Sequence, residues 1–301
     1  MDITVVGAGV IGLVTALVLE ERGHTVRIVA AASGDRTTSA VAGAVWFPYK
    51  AGPPDKVAAW ATRTRAWLEA IDDRDAGVER VTCYEIAPDD TKPWWASTIE
   101  VSRVRAPVTG TPMAWRFIAP RIEPGRFLPW LQARLHAPIE HRVVIDLAAE
   151  PGDLVVNCSG LGSRELAGDN LLYPLLGQIA IVDPAAADMT ISVTDDRGSE
   201  IFYAIPRRDE LVLGGCSRPW PPGAPPEVDP ELSARIVAQA RSLGLDAGAI
   251  RSERAGLRPY RLEVRLAREG RIIHNYGHGG AGFTLCRGCA DDVAALVSAI
   301  A

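Results

Sequence analysis

The sequence predicts an α/β fold in two lobes, and three observations carry that prediction. The chain opens on a strand, a glycine-rich turn, an apolar helix and a second strand within residues 2–30. Short strand-like runs bounded by turn residues recur through its middle. A second glycine-rich turn joins a strand to a helix near the end, in "RIIHNYGHGGAGFTLCRGCADDVAALV", residues 271–297. A length of 301 residues suits two such lobes, each with its own core.

The first element is the run from Ile3 to Val6, apolar and of strand length. Gly7, Gly9 and Gly12 then supply G-x-G-x-x-G, with Ala8, Val10 and Ile11 between them. Val10 to Glu21 continue as an apolar helix, and Thr25 to Val29 form the second strand. This is the β-α-β fingerprint of a Rossmann-type, dinucleotide-binding lobe in its required context. Gly7 permits the tight turn, Gly9 lets a pyrophosphate approach the backbone, and Gly12 lets helix and strand pack closely. The helix start offers unpaired N–H groups and a positive dipole end. The acidic residue expected after the second strand, for the ribose hydroxyls, is absent: Ala30, Ala31 and Ala32 stand there, with Ser33, Asp35 and Arg36 as substitutes.

In the middle, "VAAWATRTRAWLEAI" has helical periodicity, with Ala58, Trp60, Thr64, Trp67, Leu68 and Ile71 near one face. "HRVVID", "DLVVNCSG", "GQIAIVD", "EIFYAIP" and "ELVLGG" read as strands, the last two as a hairpin around Arg207 to Asp209. At the end, Gly277, Gly279, Gly280 and Gly282 crowd into six residues. Four glycines cost conformational entropy, so something must come close to that backbone.

Composition removes other classes. The chain is 48% hydrophobic and 23% charged, with 32 basic against 37 acidic residues and a net charge of -5. No basic face for nucleic acid is expected from that balance, and no apolar run reaches membrane-spanning length. The N-terminus lacks a basic signal-peptide region and "VSAIA" is not a peroxisomal address, so the expected location is the cytoplasm. Cys83, Cys158, Cys216, Cys286 and Cys289 are odd in number and dispersed, which reads as reduced thiols. Cys286 and Cys289 form one C-x-x-C without a second pair, so no metal site is expected.

Seven stretches, in order, are "VVGAGVIGL", "TTSAVAGAVWFPY", "LVVNCSGLGSREL", "LLGQIAIVD", "ELVLGG", "GLRPYRLEVRL" and "IIHNYGHGGAGFTL". Together they resemble the D-amino-acid oxidase family of FAD enzymes, which includes D-aspartate oxidase. The match is loose from about residue 51 to residue 139. The resemblance implies a discontinuous Rossmann-type FAD-binding domain (1–48, 142–182 and 253–301) plus a substrate domain (49–141 and 183–252) built on a mixed, mostly antiparallel β-sheet.

The resemblance further implies oxidation of a D-amino acid by hydride transfer to flavin N5, with dioxygen as acceptor. Such chemistry needs a carboxylate anchor, a hold on the free amino group and donors for growing flavin charge. The carboxylate anchor falls on Arg258 in "GLRP", whose fork suits a carboxylate as a lysine does not. Tyr203 is implied as a second carboxylate ligand, and the carbonyl of Gly280 as acceptor for the substrate amino group. The N–H groups of Phe283 and Thr284 would face the flavin carbonyl near N1, with Gly279 and Gly282 keeping the loop bare. Thr37 and Thr38 are expected at phosphate or ribose, and Gly43, Ala44 and Val45 along the ring. Val144 and Ser159 are expected near adenosine and pyrophosphate. Val45, Phe47 and Val193 would form the side-chain pocket; Phe47 stands where animal relatives have a polar residue, which favours neutral, apolar substrates. The shorter "TDDRGSEIFY" lacks the lid's second tyrosine, so a more open site is expected. His274 and His278 are read as structural. A homodimer belongs to the same set of expectations.

Overall fold

The computed structural model describes residues 1–300 other than Pro88 and Ser199. Its strands are β1 (Asp2–Ala8), β2 (Thr25–Ser33), β3 (Val78–Ile86), β4 (Ser102–Arg105), β5 (Met113–Ile122), β6 (Ile139–His141), β7 (Leu154–Asn157), β8 (Tyr173–Val182), β9 (Ile191–Asp195), β10 (Phe202–Pro206), β11 (Leu211–Gly214), β12 (Arg218–Pro219), β13 (Ile250–Glu269) and β14 (Ile272–His278). Its helices are α1 (Val10–Glu21), α2 (Pro54–Glu69), α3 (Pro124–Gln132), α4 (Ser163–Leu166), α5 (Pro230–Ser242) and α6 (Gly282–Ser298).

One sheet runs through the molecule in the order β4-β5-β3-β9-β10-β11-β8-β13-β14-β7-β1-β2-β6, with β12 beside β8. The end from β14 to β6 is parallel. The remainder is antiparallel apart from the β3–β9 pair. Parallel strands need both faces covered, and β7 is buried along its whole length. Leu13, Leu19, Ile28, Val156, Ile273 and Val293 form the core on the α1–α6 side. Burial of each such side chain contributes about 1.5–3 kcal/mol. The expected face of α2 is buried at Trp60, Thr64 and Leu68. A side chain on Gly288 of α6 would run into the Trp60 backbone, so α2 and α6 touch main chain to main chain. Around the antiparallel end, Phe202, Leu213, Ile236 and Val237 make a second core under α5.

The hairpin around residues 207–209 is present, with Pro206 opposite Leu211. "HRVVID" is not a strand: only Ile139–His141 pairs with β2, and the chain then leaves the sheet. β6 is an edge strand, and the alternating apolar residues after it, Val143 (69% exposed) and Ile145 (89% exposed), have no sheet to cover. The second N-terminal strand is longer than expected and runs on to Ser33. All five cysteines are free and buried, and burial pushes the Cys286 thiol up to about 12, which fits two small packing residues rather than a redox pair.

One polar residue in this frame carries a stability cost. Val81 and Cys83 of β3 pack with Trp46, Trp95 and Phe117, and Glu85 follows at the same period of two. The Glu85 Oε2 is buried without a partner, and burial, with Asp196 adding, pushes this carboxyl up to about 7. The folded chain therefore holds a proton that the unfolded chain has released, and stability is lost as pH rises from the ordinary glutamate range through 7. Glu85→Gln should raise the unfolding temperature at pH 8, by on the order of 2–3 kcal/mol of stability, and change little at pH 4. Melting curves across that range check the prediction, and a uniform shift at both ends would contradict it.

Candidate active site

A cavity of about 720 Å³ lies against the carboxyl ends of β1, β2, β7 and β14 and continues under the antiparallel sheet as far as Tyr203 and Arg258. The position is the one open parallel sheets offer to ligands. Its first wall is the N-terminal turn. Gly7 has φ of +114°, and a Cβ there would strike the Cys158 carbonyl. Gly12 does not border the cavity; its missing side chain makes room for the Gly7 carbonyl, which holds the turn against α1. Gly9 differs, because a Cβ there would meet only the Ser39 Oγ at 3.1 Å and would otherwise project into the cavity. Ala8, Val10 and Ile11 complete this wall. The Val10 N–H donates to Ser39 Oγ at 2.9 Å, so Ser39 caps α1. Sequence reading missed Ser39, although it continues the Thr37–Thr38 run.

At the far end the cavity is bordered by Ala30, Ala31, Ala32, Arg142, Val143, Val144, Ile145, Ser159 and Glu165. Val144 and Ser159 thus border the cavity, while Ser33, Asp35 and Arg36 do not. The Ser159 hydroxyl donates to Asn157 Oδ1 at 2.7 Å. Arg142 is held by Glu140 and by both oxygens of Glu150. The exposed Val143 and Ile145 have their explanation here, since they face the cavity rather than a core.

The segment 37–49 forms the roof. The Thr37 hydroxyl donates to the Gly34 carbonyl at 2.7 Å and the Thr38 hydroxyl to the Leu257 carbonyl at 3.2 Å, so both spend their protons inside the protein, and both residues border the cavity. Gly43 admits the Tyr203 ring, which a Cβ would approach to 3.0 Å. Ala44 has φ of +60°, an unfavourable value for a residue with a side chain. It is held there because its carbonyl accepts from the Ile122 N–H at 2.7 Å and the Trp46 N–H donates to the Pro120 carbonyl at 2.8 Å. Val45 and Phe47 border the cavity, and Phe47 packs on Trp95 and Phe117. Val193 does not: it is buried in the core under α5, and its neighbour Thr194 borders the cavity instead. Alternation along β9 decides the matter, because a shift of one residue reverses the face.

The C-terminal loop closes the site, and its glycines serve several ends. Gly277 has φ of +87° and Gly279 +55°, and side chains there would strike Arg261 and the Lys50 carbonyl. Gly280 leaves room for Tyr49, whose Cδ1 a Cβ would approach to 2.7 Å. At Gly282 the nearest atom would be Val10 Cγ1 at 3.6 Å, so this glycine is bare toward the cavity. Thr284 borders the cavity, but its donors are taken: its N–H donates to the Ala281 carbonyl at 3.0 Å and its hydroxyl to the Phe47 carbonyl at 3.0 Å. Phe283 borders the cavity on the same turn. The start of α6, like that of α1, therefore faces the cavity with its positive dipole end. His278 is buried, and burial pushes its imidazole down to about 3, so it is neutral. Its Nε2 and the Oδ1 of Asn275 are buried without partners, and both residues border the cavity.

Arg258 sits at the opposite end, on β13. Its Nη1 donates to the carbonyls of Cys216 at 2.7 Å and Leu176 at 3.2 Å, which aims the fork. The guanidinium crosses Gly177, where a Cβ would lie 2.5 Å from it. Tyr203 on β10 lies over Gly214 and Gly215 beside Arg258. Burial pushes its phenol up against the pull of Arg258, so the hydroxyl stays protonated and can donate.

The family model described as FAD dependent oxidoreductase matches residues 2–296. The chain belongs to that family. Its relatives include the D-amino-acid oxidase of Streptomyces coelicolor, 39% identical, with 99% of this chain and 97% of that protein covered. The D-amino-acid oxidase of Rubrobacter xylanophilus is 38% identical over 98% of this chain and 95% of that protein. The fold is shared with the crystal structure of glycine oxidase from Geobacillus kaustophilus, at a TM-score of 0.84 and 18% identity, covering 99% and 94% of the two chains. The cofactor of this FAD dependent oxidoreductase fits its cavity. Gly282 is bare where no protein atom requires it, Gly9 is opposed only by the Ser39 hydroxyl, two helix starts converge, and two buried polar atoms await partners. Among the described residues no helix is long and apolar enough to cross a membrane, and no group of side chains could hold a metal ion.

Proposed function

We propose that the protein carries out FAD-dependent oxidative deamination of D-amino acids, with neutral and apolar side chains favoured. The supporting observation is that Arg258 and Tyr203 converge at one end of the cavity whose other end is the bare glycine turn. When bound, FAD would supply the two-electron acceptor at N5, with dioxygen as terminal oxidant and hydrogen peroxide as its product.

The chain's own residues bind and orient. Gly9, Val10 and Ile11 at the start of α1 would hold the pyrophosphate, with Thr37 and Thr38 nearby. Gly43, Ala44 and Val45 would lie along the ring, and Gly282 and the Phe283 N–H at its pyrimidine edge. Arg258 takes the substrate carboxylate with its free guanidinium nitrogens, and the protonated Tyr203 hydroxyl donates to the same group. The Gly280 carbonyl, which accepts no hydrogen bond among the described backbone groups, is the acceptor for the amino N–H and fixes the orientation of that group. Orientation by these contacts places the α carbon for a hydride step that needs no side-chain base. The α-imino acid so formed hydrolyses to the 2-oxo acid and ammonia. Val45, Phe47 and Thr194 surround the substrate side chain and carry no cation for a second carboxylate.

The test is one spectrum of the FAD-loaded protein without air. D-alanine should bleach the flavin within a turnover, L-alanine should not, and air should restore the colour with one peroxide per cycle. Equal bleaching by L-alanine removes the stereochemical assignment. Glycine reacting ahead of D-alanine moves the reading to a glycine oxidase.

A further inference from the structure

Tyr49 stands beside the carboxylate anchor although it lies far from Arg258 and Tyr203 in the sequence. It borders the same cavity. A Cβ built on Gly280 would lie 2.7 Å from Tyr49 Cδ1 and 3.6 Å from Arg258 Cδ, so ring and arginine flank one backbone position. The ring is held there from behind. The Tyr49 N–H donates to the Phe47 carbonyl at 2.9 Å, and the Lys50 carbonyl abuts Gly279. The buried Ser217 hydroxyl is next to the Tyr49 phenol. Burial pushes the phenol up to about 12, against the pull of Ser217 and Arg258, so Tyr49 is a donor throughout the working range.

A carboxylate drawn out of water needs most of its roughly four acceptor sites filled. The Arg258 Nη1 is already committed to two carbonyls, so the arginine cannot fill them alone. Tyr203 supplies one further donor. We propose that Tyr49 is a substrate-positioning residue, whose hydroxyl donates to the α-carboxylate of the amino acid held by Arg258. The inference rests on the oxidase reading above. It makes the grip on the carboxylate a joint product of three segments, and it places a second phenol at the site although the "TDDRGSEIFY" segment contributes only Tyr203. Its action is independent of the substrate side chain.

The test uses Tyr49→Phe in the FAD-loaded protein, because phenylalanine keeps the ring against Gly280. The probes are benzoate, a carboxylate with no α carbon to oxidise, and benzamide, its uncharged counterpart; binding is read from the flavin spectrum. Benzoate affinity should fall about ten- to a hundred-fold, as for a lost hydrogen bond to a charged group, while benzamide changes less than about twofold. KM for D-alanine and D-valine should rise together by a similar factor, with kcat nearly unchanged and FAD content at the wild-type value. Unchanged benzoate affinity, or equal loss for both probes, overturns the proposal. If Tyr49→Phe loses FAD, the double comparison moves to Tyr49→His, which keeps a donor and should retain part of the benzoate preference; no retention also overturns it. A wild-type flavin that no D-amino acid bleaches defeats the oxidase reading, whereas the benzoate comparison still decides Tyr49.

Discussion

Arg258→Ala should lower kcat/KM for D-alanine by about 30- to 5,000-fold, while the protein keeps its FAD. The expected size follows from removing one partner of a desolvated charge pair, a loss of about 2–5 kcal/mol. The loss should appear mainly as failure to saturate, because a guanidinium that holds the carboxylate would do so in ground and transition states alike. Arg258→Lys should recover little. An ammonium is a compact point charge, and it cannot both hold the Cys216 and Leu176 carbonyls and present a second face to the substrate. Gly177→Ala offers an independent check. Its new Cβ would lie 2.5 Å from the guanidinium, so it should impair saturation by displacing Arg258 without touching any reacting atom. Rapid mixing without air separates substrate binding from flavin bleaching in all three variants. Saturation of Arg258→Ala at wild-type D-alanine concentrations would remove this arginine from the site.

The second large effect separates two glycines that look equivalent in the sequence. Gly12→Val should abolish the folded FAD-binding lobe, because any side chain there runs into the Gly7 carbonyl inside a fully packed core. Little soluble protein is expected, and none of it yellow. Gly9→Ala should instead leave the cofactor-free protein within about 1 kcal/mol of wild type, since its Cβ meets only the movable Ser39 hydroxyl. Its cost should fall on FAD, whose affinity drops at least a hundred-fold if a pyrophosphate occupies that space, a loss of about 3 kcal/mol. Thermal melts of the cofactor-free protein, paired with FAD titrations, distinguish the two outcomes. A Gly9→Ala variant that binds FAD as tightly as wild type would show that the bare face of this turn meets no ligand.

The candidate site was legible in the sequence to unequal degrees. Gly7, Gly9 and Gly12 could be read because their constraint is nearly local: turn, helix start and strand lie within a dozen residues. Arg258 and Tyr203 could be reached only through their motifs, since arginines also stand at positions 261, 265 and 268. Arg261 and Arg265 instead gather around Asp169 and Tyr276. Val193 was misread by a single position, because a strand of five residues carries too short an alternation to reveal which face meets the ligand. The crowded glycines of the last loop suggested one close-approaching ligand. Three of them answer instead to Arg261, Lys50 and Tyr49, neighbours drawn from distant parts of the chain.

By itself the sequence determined the fold class, the dinucleotide turn and the family, because each is written in contiguous residues whose backbone conformation depends on their own composition. Tertiary structure alone decided that Thr194 rather than Val193 faces the cavity, that Thr284 spends its donors inside the protein, and that Tyr49 comes to lie beside Arg258. The physical reason is that these facts depend on strand register and on contacts across some two hundred residues of chain. Such contacts are chosen by packing of the whole sheet and leave no local mark on the residues that make them.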